Sequence, residues 1–317
     1  MRVRGAGLVP VLLLVMGSAW SRASEVGAPN VPFIVVLGIA QDGGYPQSGC
    51  RKECCRKAWA DPSRRAHVAS LAIVDPTGPR RWLIDATPDF REQLHRLDAI
   101  APVAASPGLD GILLTHAHVG HYTGLVQLGR EGMGSHGMPV YAMPRMRKFL
   151  ETSGPWEQLV RLGNIELRPL EAGRPLSLSD RISVTPLPVP HRDEYSETVG
   201  YLIEGPHRSV LYLPDIDKWG RWGTPLEEAL SKASVAYLDG TFYGDGEIPG
   251  RDMSEIPHPF MIETLSRLAR MPAAERAKVR FIHLNHTNPA LDPKGEAARK
   301  VKSAGARVAV EGERSGI

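Results

Sequence analysis

Along the chain, apolar runs short enough to be strands alternate with polar connections rich in Gly and Pro. Runs dominated by Val, Ile and Leu predict buried strands over residues 31–40, 68–75, 81–85, 111–114, 139–143, 165–170, 182–189, 198–204, 209–213, 235–239, 280–284 and 308–310. Helical periodicity predicts helices over 90–97, 145–152, 260–270 and 294–303, the third with Met261, Leu265 and Leu268 on one face. Turn residues divide these elements, as in Pro76-Thr77-Gly78-Pro79 and Gln41-Asp42-Gly43-Gly44. Strands interleaved with helices over 317 residues predict one large α/β domain, and 32 Gly with 27 Pro fit its many loops.

The first residues break this pattern. Residues 1–23 join a basic start, an apolar stretch over 7–20 and small residues before a cleavage point, which predicts a secretory signal peptide followed by a domain over 24–317. An uncleaved membrane anchor is the alternative, but the stretch is short for a bilayer and is broken by Pro10. Charge changes meaning once the segment is removed. It carries Arg2, Arg4 and Arg22 and no acid, so the formal +3 falls to 35 basic against 35 acidic residues. A mature protein near neutrality offers no basic face for nucleic acid. The expectation is an exported protein, periplasmic or secreted, that has no stable membrane insertion after cleavage and acts on a small-molecule substrate; its oligomeric state is left open.

Candidate chemistry centres on residues 110–125, DGILLTHAHVGHYTGL. A buried strand runs directly into His116, His118 and His121. His116 and His118 are two apart and project to the same side if the extended geometry persists, while His121 opens a turn and approaches from another direction. Neutral imidazoles grouped in this way suit zinc or iron. Further on, the rigid Pro186, Pro188 and Pro190 segment delivers His191, Asp215 closes another strand, and the strand at 280–284 delivers His286. Asp85 ends its own strand, where it either caps a turn or orients a metal ligand.

All three cysteines, Cys50, Cys54 and Cys55, fall in one early segment. An exported protein usually pairs its cysteines, but an odd number with two adjacent suits a disulfide poorly. A structural zinc held by three thiolates and one outside ligand accounts for all of them, with His258 the expected fourth ligand. A disulfide with a leftover thiol stays open as the alternative.

Asp85, the 116-118-121 cluster, His191, Asp215 and His286, each at or beyond an apolar strand, resemble in order and spacing the metallo-β-lactamase superfamily of metallohydrolases. The flanking words Gly43-Gly44-Tyr45-Pro46-Gln47, Leu213-Pro214-Asp215, Leu238-Asp239-Gly240-Thr241-Phe242 and Thr287-Asn288-Pro289 are similar to those of the pyrroloquinoline quinone biosynthesis protein B group and its phosphodiesterase relatives. The resemblance implies a four-layer αββα sandwich (α+β in the broad sense) with metals at one edge and a structural zinc at the cysteines. It implies that His116, His118 and His191 hold one metal, that His121 and His286 hold a second, and that Asp215 bridges them, with Asp85 and Asp215 the catalytic carboxylates. One departure stands out: the superfamily pattern has an Asp immediately before the third histidine, and this chain has Gly120. One ligand of the second metal is therefore missing from its expected place.

Zinc suits a histidine-rich site, one or two ions at the catalytic edge and one at the cysteines, though iron or manganese also fits imidazole and carboxylate. The economical reading is hydrolysis of an ester, amide or phosphodiester by water activated on the metal. An iron-dependent oxidoreductase and a non-catalytic metal-binding protein are the two alternatives carried forward.

Overall fold

The computed structural model describes residues 30–104 and 108–317, so the expected signal peptide lies outside the described residues. The described strands are β1 (Phe33–Gly38), β2 (Ser70–Asp75), β3 (Arg80–Ile84), β4 (Gly111–Leu113), β5 (Met138–Ala142), β6 (Ile165–Pro169), β7 (Leu176–Ser177), β8 (Ser183–Pro188), β9 (Val199–Glu204), β10 (Ser209–Leu213), β11 (Val235–Asp239), β12 (Val279–Ile282), β13 (Arg307–Val308) and β14 (Arg314–Gly316). They form two seven-stranded sheets, ordered β14-β1-β2-β3-β4-β5-β6 and β13-β12-β11-β10-β9-β8-β7. Both are mixed. β1 to β3 pair antiparallel and β3 to β6 parallel. β7 to β10 likewise pair antiparallel, and β10 to β13 parallel.

The period-two alternation of side chains builds the layers. Ile34 and Val36 of β1, Leu71 and Ile73 of β2, Val210 and Tyr212 of β10 and Tyr237 of β11 share the core between the sheets. The alternate residues face outward: Val35, Leu37, Ala72 and Val74 meet helices Phe90–Ile100 and Pro144–Thr152. On the other side Leu211, Leu213, Ala236 and Leu238 meet helices Leu226–Ser231, Met261–Leu268 and Glu296–Ser303. Because both faces of each sheet are covered, these strands read as unbroken apolar runs. The result is the four-layer αββα sandwich.

At the end of β2 a buried acid ties the sheets together. Asp75 accepts hydrogen bonds from Thr77 and, across the inter-sheet boundary, from Ser179 Oγ at 2.9 Å and Arg181 Nη2 at 2.5 Å. Burial alone would raise its pKa, but the Arg181, Thr77 and Ser179 donors outweigh burial and hold it at about 2. In the unfolded chain the value returns to about 3.9. A depressed folded value means that the stabilisation is complete above the unfolded pKa and disappears as pH falls through about 2. Asp75→Asn is expected to lower stability by on the order of 2 kcal/mol at pH 6. In urea unfolding the gap between variant and wild type should narrow steadily from pH 4 to pH 2; a gap independent of pH would rule this account out.

Candidate metal centre

The chain leaves β4 through Leu114 and Thr115, and both backbones are pinned. Leu114 accepts from the Tyr201 hydroxyl at 2.5 Å, and Thr115 accepts from the Val199 amide at 3.1 Å. His116, Ala117 and His118 follow through a bend, His118 with extended dihedrals, and the Ala117 amide donates to Ser196 Oγ at 2.8 Å. A single helical turn, Val119–Tyr122, then brings His121 back towards His116, their ring centroids 4.3 Å apart. His191 arrives from beyond β8, Asp215 from beyond β10 and His283 from beyond β12, so the imidazoles and carboxylates gather past one edge of the paired sheets.

Three overlapping ligand groups result, one of them His191, Asp215 and His258; the other two carry the histidine cluster. His116, His118 and His191 form one; Asp42, His121, Asp215 and His283 form the other, with ligand atoms within 4.8 Å of one another in each. Asp215 stands between them. Its Oδ2 lies 2.9 Å from His121 Nε2, 3.2 Å from His283 Nε2 and 3.7 Å from His116 Nε2, while its Oδ1 lies 3.7 Å from His191 Nε2. His116 Nε2 and His118 Nδ1 meet at 2.8 Å.

The other ring nitrogens are held from outside. His116 Nδ1 contacts Thr115 Oγ1 at 3.0 Å, His118 Nε2 contacts Glu194 at 3.2 Å, His121 Nδ1 contacts Asp85 at 2.7 Å, His191 Nδ1 contacts Asp217 at 3.2 Å and His283 Nδ1 contacts Thr241 Oγ1 at 2.9 Å. Such partners set tautomer and orientation and leave the inward nitrogens as lone-pair donors. Asp85 is itself fully buried and accepts from the Thr115 amide and hydroxyl. Asp85 and His283 are also the two non-glycine residues among those described with positive φ, 70° and 64°. Left-handed backbone at two side chains of one cluster is the kind of local strain that a functional site maintains.

A cation fits this cradle. Asp42 Oδ1, His121 Nε2, Asp215 Oδ2 and His283 Nε2, all of one ligand group, are buried atoms without a hydrogen-bond partner, and so is His191 Nε2 of the other group. Unpaired polar atoms are costly, so the four in one group call for a positive partner. Burial and the neighbouring His121 push His116 far below the usual imidazole range, keeping it neutral as a ligand must be. Burial also works against charge on His121, yet Asp85, Asp215 and Asp42 outweigh it and raise that ring far above its ordinary value. For Asp215 burial is likewise overcome, here by His283, His121, His191 and His116, and its carboxyl stays far below the usual range. The pocket draws positive charge inward.

The structure thus brings Asp85, His116, His118, His121, His191 and Asp215 together, but it reverses two expected histidines. His286 is not in this cradle: its Nδ1 lies 3.3 Å from Cys55 Sγ and 3.9 Å from Cys54 Sγ. His258 is not with the cysteines: its Nδ1 lies 2.8 Å from Asp239 Oδ2 and 3.6 Å from Asp215 Oδ1. The cause is local. β12 stops at Ile282, the left-handed turn at His283 swings that ring into the cradle, and three residues later the chain has passed over to the cysteine helix, Glu53–Ala60.

At that second centre Cys50, Cys54, Cys55 and His286 present four ligand atoms within 4.8 Å of one another, and the three thiols are unpaired. Burial pushes the Cys55 thiol up to about 12. A soft divalent cation removes such thiol protons on binding, and three sulfurs with one imidazole suit zinc.

Asp42, Asp239 and His283 are the site residues that the sequence did not single out. Asp42 carried only a turn signal, and Asp239 a strand end inside one of the flanking words of the resemblance, with no role assigned. His283 alternated with its strand neighbours like a packed residue, and the φ that turns it leaves no mark in FIHL. His258, by contrast, sits between Pro257 and Pro259, the same rigid presentation that had marked His191.

Residues 80–310 match the family model described as the beta-lactamase superfamily domain, and the chain belongs to that superfamily. Its relatives there include coenzyme PQQ synthesis protein B. The chain is 30% identical over 303 residues to that protein of Xanthomonas campestris pv. campestris, the match covering 88% of this chain and 98% of the relative. Among solved structures, zinc-bound PqqB from Methylobacterium extorquens aligns over 90% of this chain and 100% of its own with a TM-score of 0.75 and 24% identity. A diphosphatase of the PhnP family aligns over 90% of this chain and 97% of its own with a TM-score of 0.61 and 22% identity. At these identities the two structural likenesses speak for the fold.

The exchanged histidines give a direct test. Zinc held by thiolates is released by a mercurial thiol reagent, whereas zinc held by imidazole and carboxylate is not. His286→Ala is expected to lose the mercurial-released equivalent, and His258→Ala to keep it. Loss of that equivalent in His258→Ala would restore the assignment first read from the sequence.

Proposed function

We propose that this protein is an exported metal-dependent hydrolase of a small ester, amide or phosphodiester. The observation that carries the reading is the buried pair His258 and Asp239 beside the cradle. Asp239 is fixed by the backbone amides of Ile216 and Thr241 at 3.1 and 2.9 Å, and its Oδ2 then faces His258 Nδ1. Burial disfavours a charged His258, but Asp239 foremost and Asp215 after it hold the ring at about 9. An imidazole that keeps its proton at neutral pH, 5.1 Å centroid to centroid from His191, is placed to protonate a leaving group.

Divalent cations in the cradle supply Lewis acidity, which acidifies water and polarises a carbonyl or phosphoryl oxygen. His116, His118 and His191 would hold one, and His121, His283 and Asp215 the other. Asp85 keeps His121 turned inward through its 2.7 Å contact. Asp217 does the same for His191 at 3.2 Å. An acid for the leaving group and water activated by a bound cation would together promote hydrolysis.

The name of the 30% identical relatives supports a second reading, a step in coenzyme PQQ synthesis, which we read as an iron-dependent oxidation. Imidazole and carboxylate ligands suit iron as well as zinc. A proton donor held ready for a leaving group favours hydrolysis.

A leaving-group series decides between these roles. With phosphodiesters or esters of graded leaving-group pKa, His258→Ala should cost about 10²–10⁴-fold in kcat on alkoxide leaving groups and little on p-nitrophenolate. Asp239→Asn should fall between variant and wild type. An equal loss across the series would remove His258 as the acid, and metal-dependent oxygen consumption without ester cleavage would establish the second reading.

A further inference from the structure

We propose that Asp42 is the carboxylate ligand of the second metal position, taking from the first loop the place that Gly120 leaves open. The inference rests on the two-cation reading of the cradle given above and extends it to a residue outside the motif that normally supplies this ligand.

The geometry at Gly120 comes first. A Cβ built on Gly120 would lie 2.2 Å from Asp42 Oδ1, 2.8 Å from its Cγ and 2.6 Å from its Cα. No side chain fits there. The missing side chain and the incoming carboxylate are therefore one arrangement: the space that an acid at position 120 would fill is already filled by an acid from position 42.

Asp42 also reaches the right atoms. Its Oδ1 lies 3.2 Å from His121 Nε2 and 3.5 Å from His283 Nε2, and it forms one ligand group with them and Asp215. His121 and His283 are fully buried and Asp215 is 3% exposed, yet each directs an unpaired atom at this point, as Asp42 does. A role confined to pairing with His121 does not explain the approach of the same oxygen to His283 Nε2 at 3.5 Å.

The loop is built to hold Asp42 there. The Leu284 amide donates to Ile39 at 2.8 Å and the Gln41 amide donates to Leu284 at 2.9 Å, clamping the loop to the residue beside His283. The Gly44 amide closes the turn on Gln41 at 2.7 Å. Two ligands from opposite ends of the sequence are thus tied through neighbouring backbone hydrogen bonds.

The test is a zinc titration of the mature chain against a chromophoric chelator, with the cysteine-bound equivalent identified by mercurial release. Wild type should hold two further equivalents. Asp42→Asn keeps the side-chain shape but is a poor ligand, and it should weaken one of the two by more than about 100-fold, beyond the roughly 10–100-fold that losing an outer hydrogen-bond partner costs. Gly120→Ala should weaken the same equivalent, because its methyl group displaces Asp42, and thermal unfolding of the metal-free variants shows whether each is folded. Two equivalents of wild-type affinity in either folded variant would overturn the role of Asp42. A wild type holding at most one equivalent outside the cysteines would overturn the two-cation reading, and this inference with it.

Discussion

The arrangement depends on one buried carboxylate. Asp215 is removed from water at the edge of two sheets, where an ionised acid is tolerated only if charge and hydrogen-bond donors surround it. Its two oxygens face different imidazoles, Oδ2 towards His116, His121 and His283 and Oδ1 towards His191 and His258. Each ring in turn has an outward partner that sets which nitrogen it offers. The edge of the sandwich is thus a set of mutually dependent orientations, and the covered sheets supply the rigid ends from which they are delivered.

Electrostatics divides the cluster into roles. His116, neutral by burial, suits a ligand, whereas His258, kept protonated by Asp239, suits an acid. The difference comes from what lies behind each ring: Thr115 Oγ1 behind His116, a carboxylate behind His258. A hydroxyl orients an imidazole without supplying charge; a carboxylate does both. His121 has a carboxylate behind it and two in front, so positive charge is strongly favoured at that point of the cradle.

Much of this was legible in the sequence, for a physical reason. Buried strands of αββα architecture are continuous apolar runs, and residues 31–40, 68–75, 209–213 and 235–239 show them plainly. The HAHVGH cluster and the Pro-led His191 stand at strand ends, where short-range pattern and function coincide. What stayed hidden needs long-range or dihedral information. The helix that carries Cys54 and Cys55 is short and polar, β14 exists only because it pairs with β1, and the exchange of His258 with His286 follows from one left-handed residue at 283. No periodicity reports a single φ.

The same turn explains why the two metal-binding groups belong together. His283 points into the cradle and His286, three residues on, reaches Cys55; between them Leu284 is hydrogen-bonded to the loop that bears Asp42. Further along that loop, the Gln47 amide donates to Cys55 Sγ at 3.4 Å. A cation at the cysteines would therefore fasten both the strand end that presents His283 and the loop that presents Asp42. The loop that bears Asp42 is a partly exposed connection, the kind of backbone that opens most easily, whereas His283 and Leu284 are fully buried. Cross-linked by four ligands, the loop and the strand end would become a fixed wall of the candidate metal centre. The cysteine centre, when it holds a cation, would in this sense be part of the site, because it would hold in place two of the ligands that lie outside the histidine motif, Asp42 and His283.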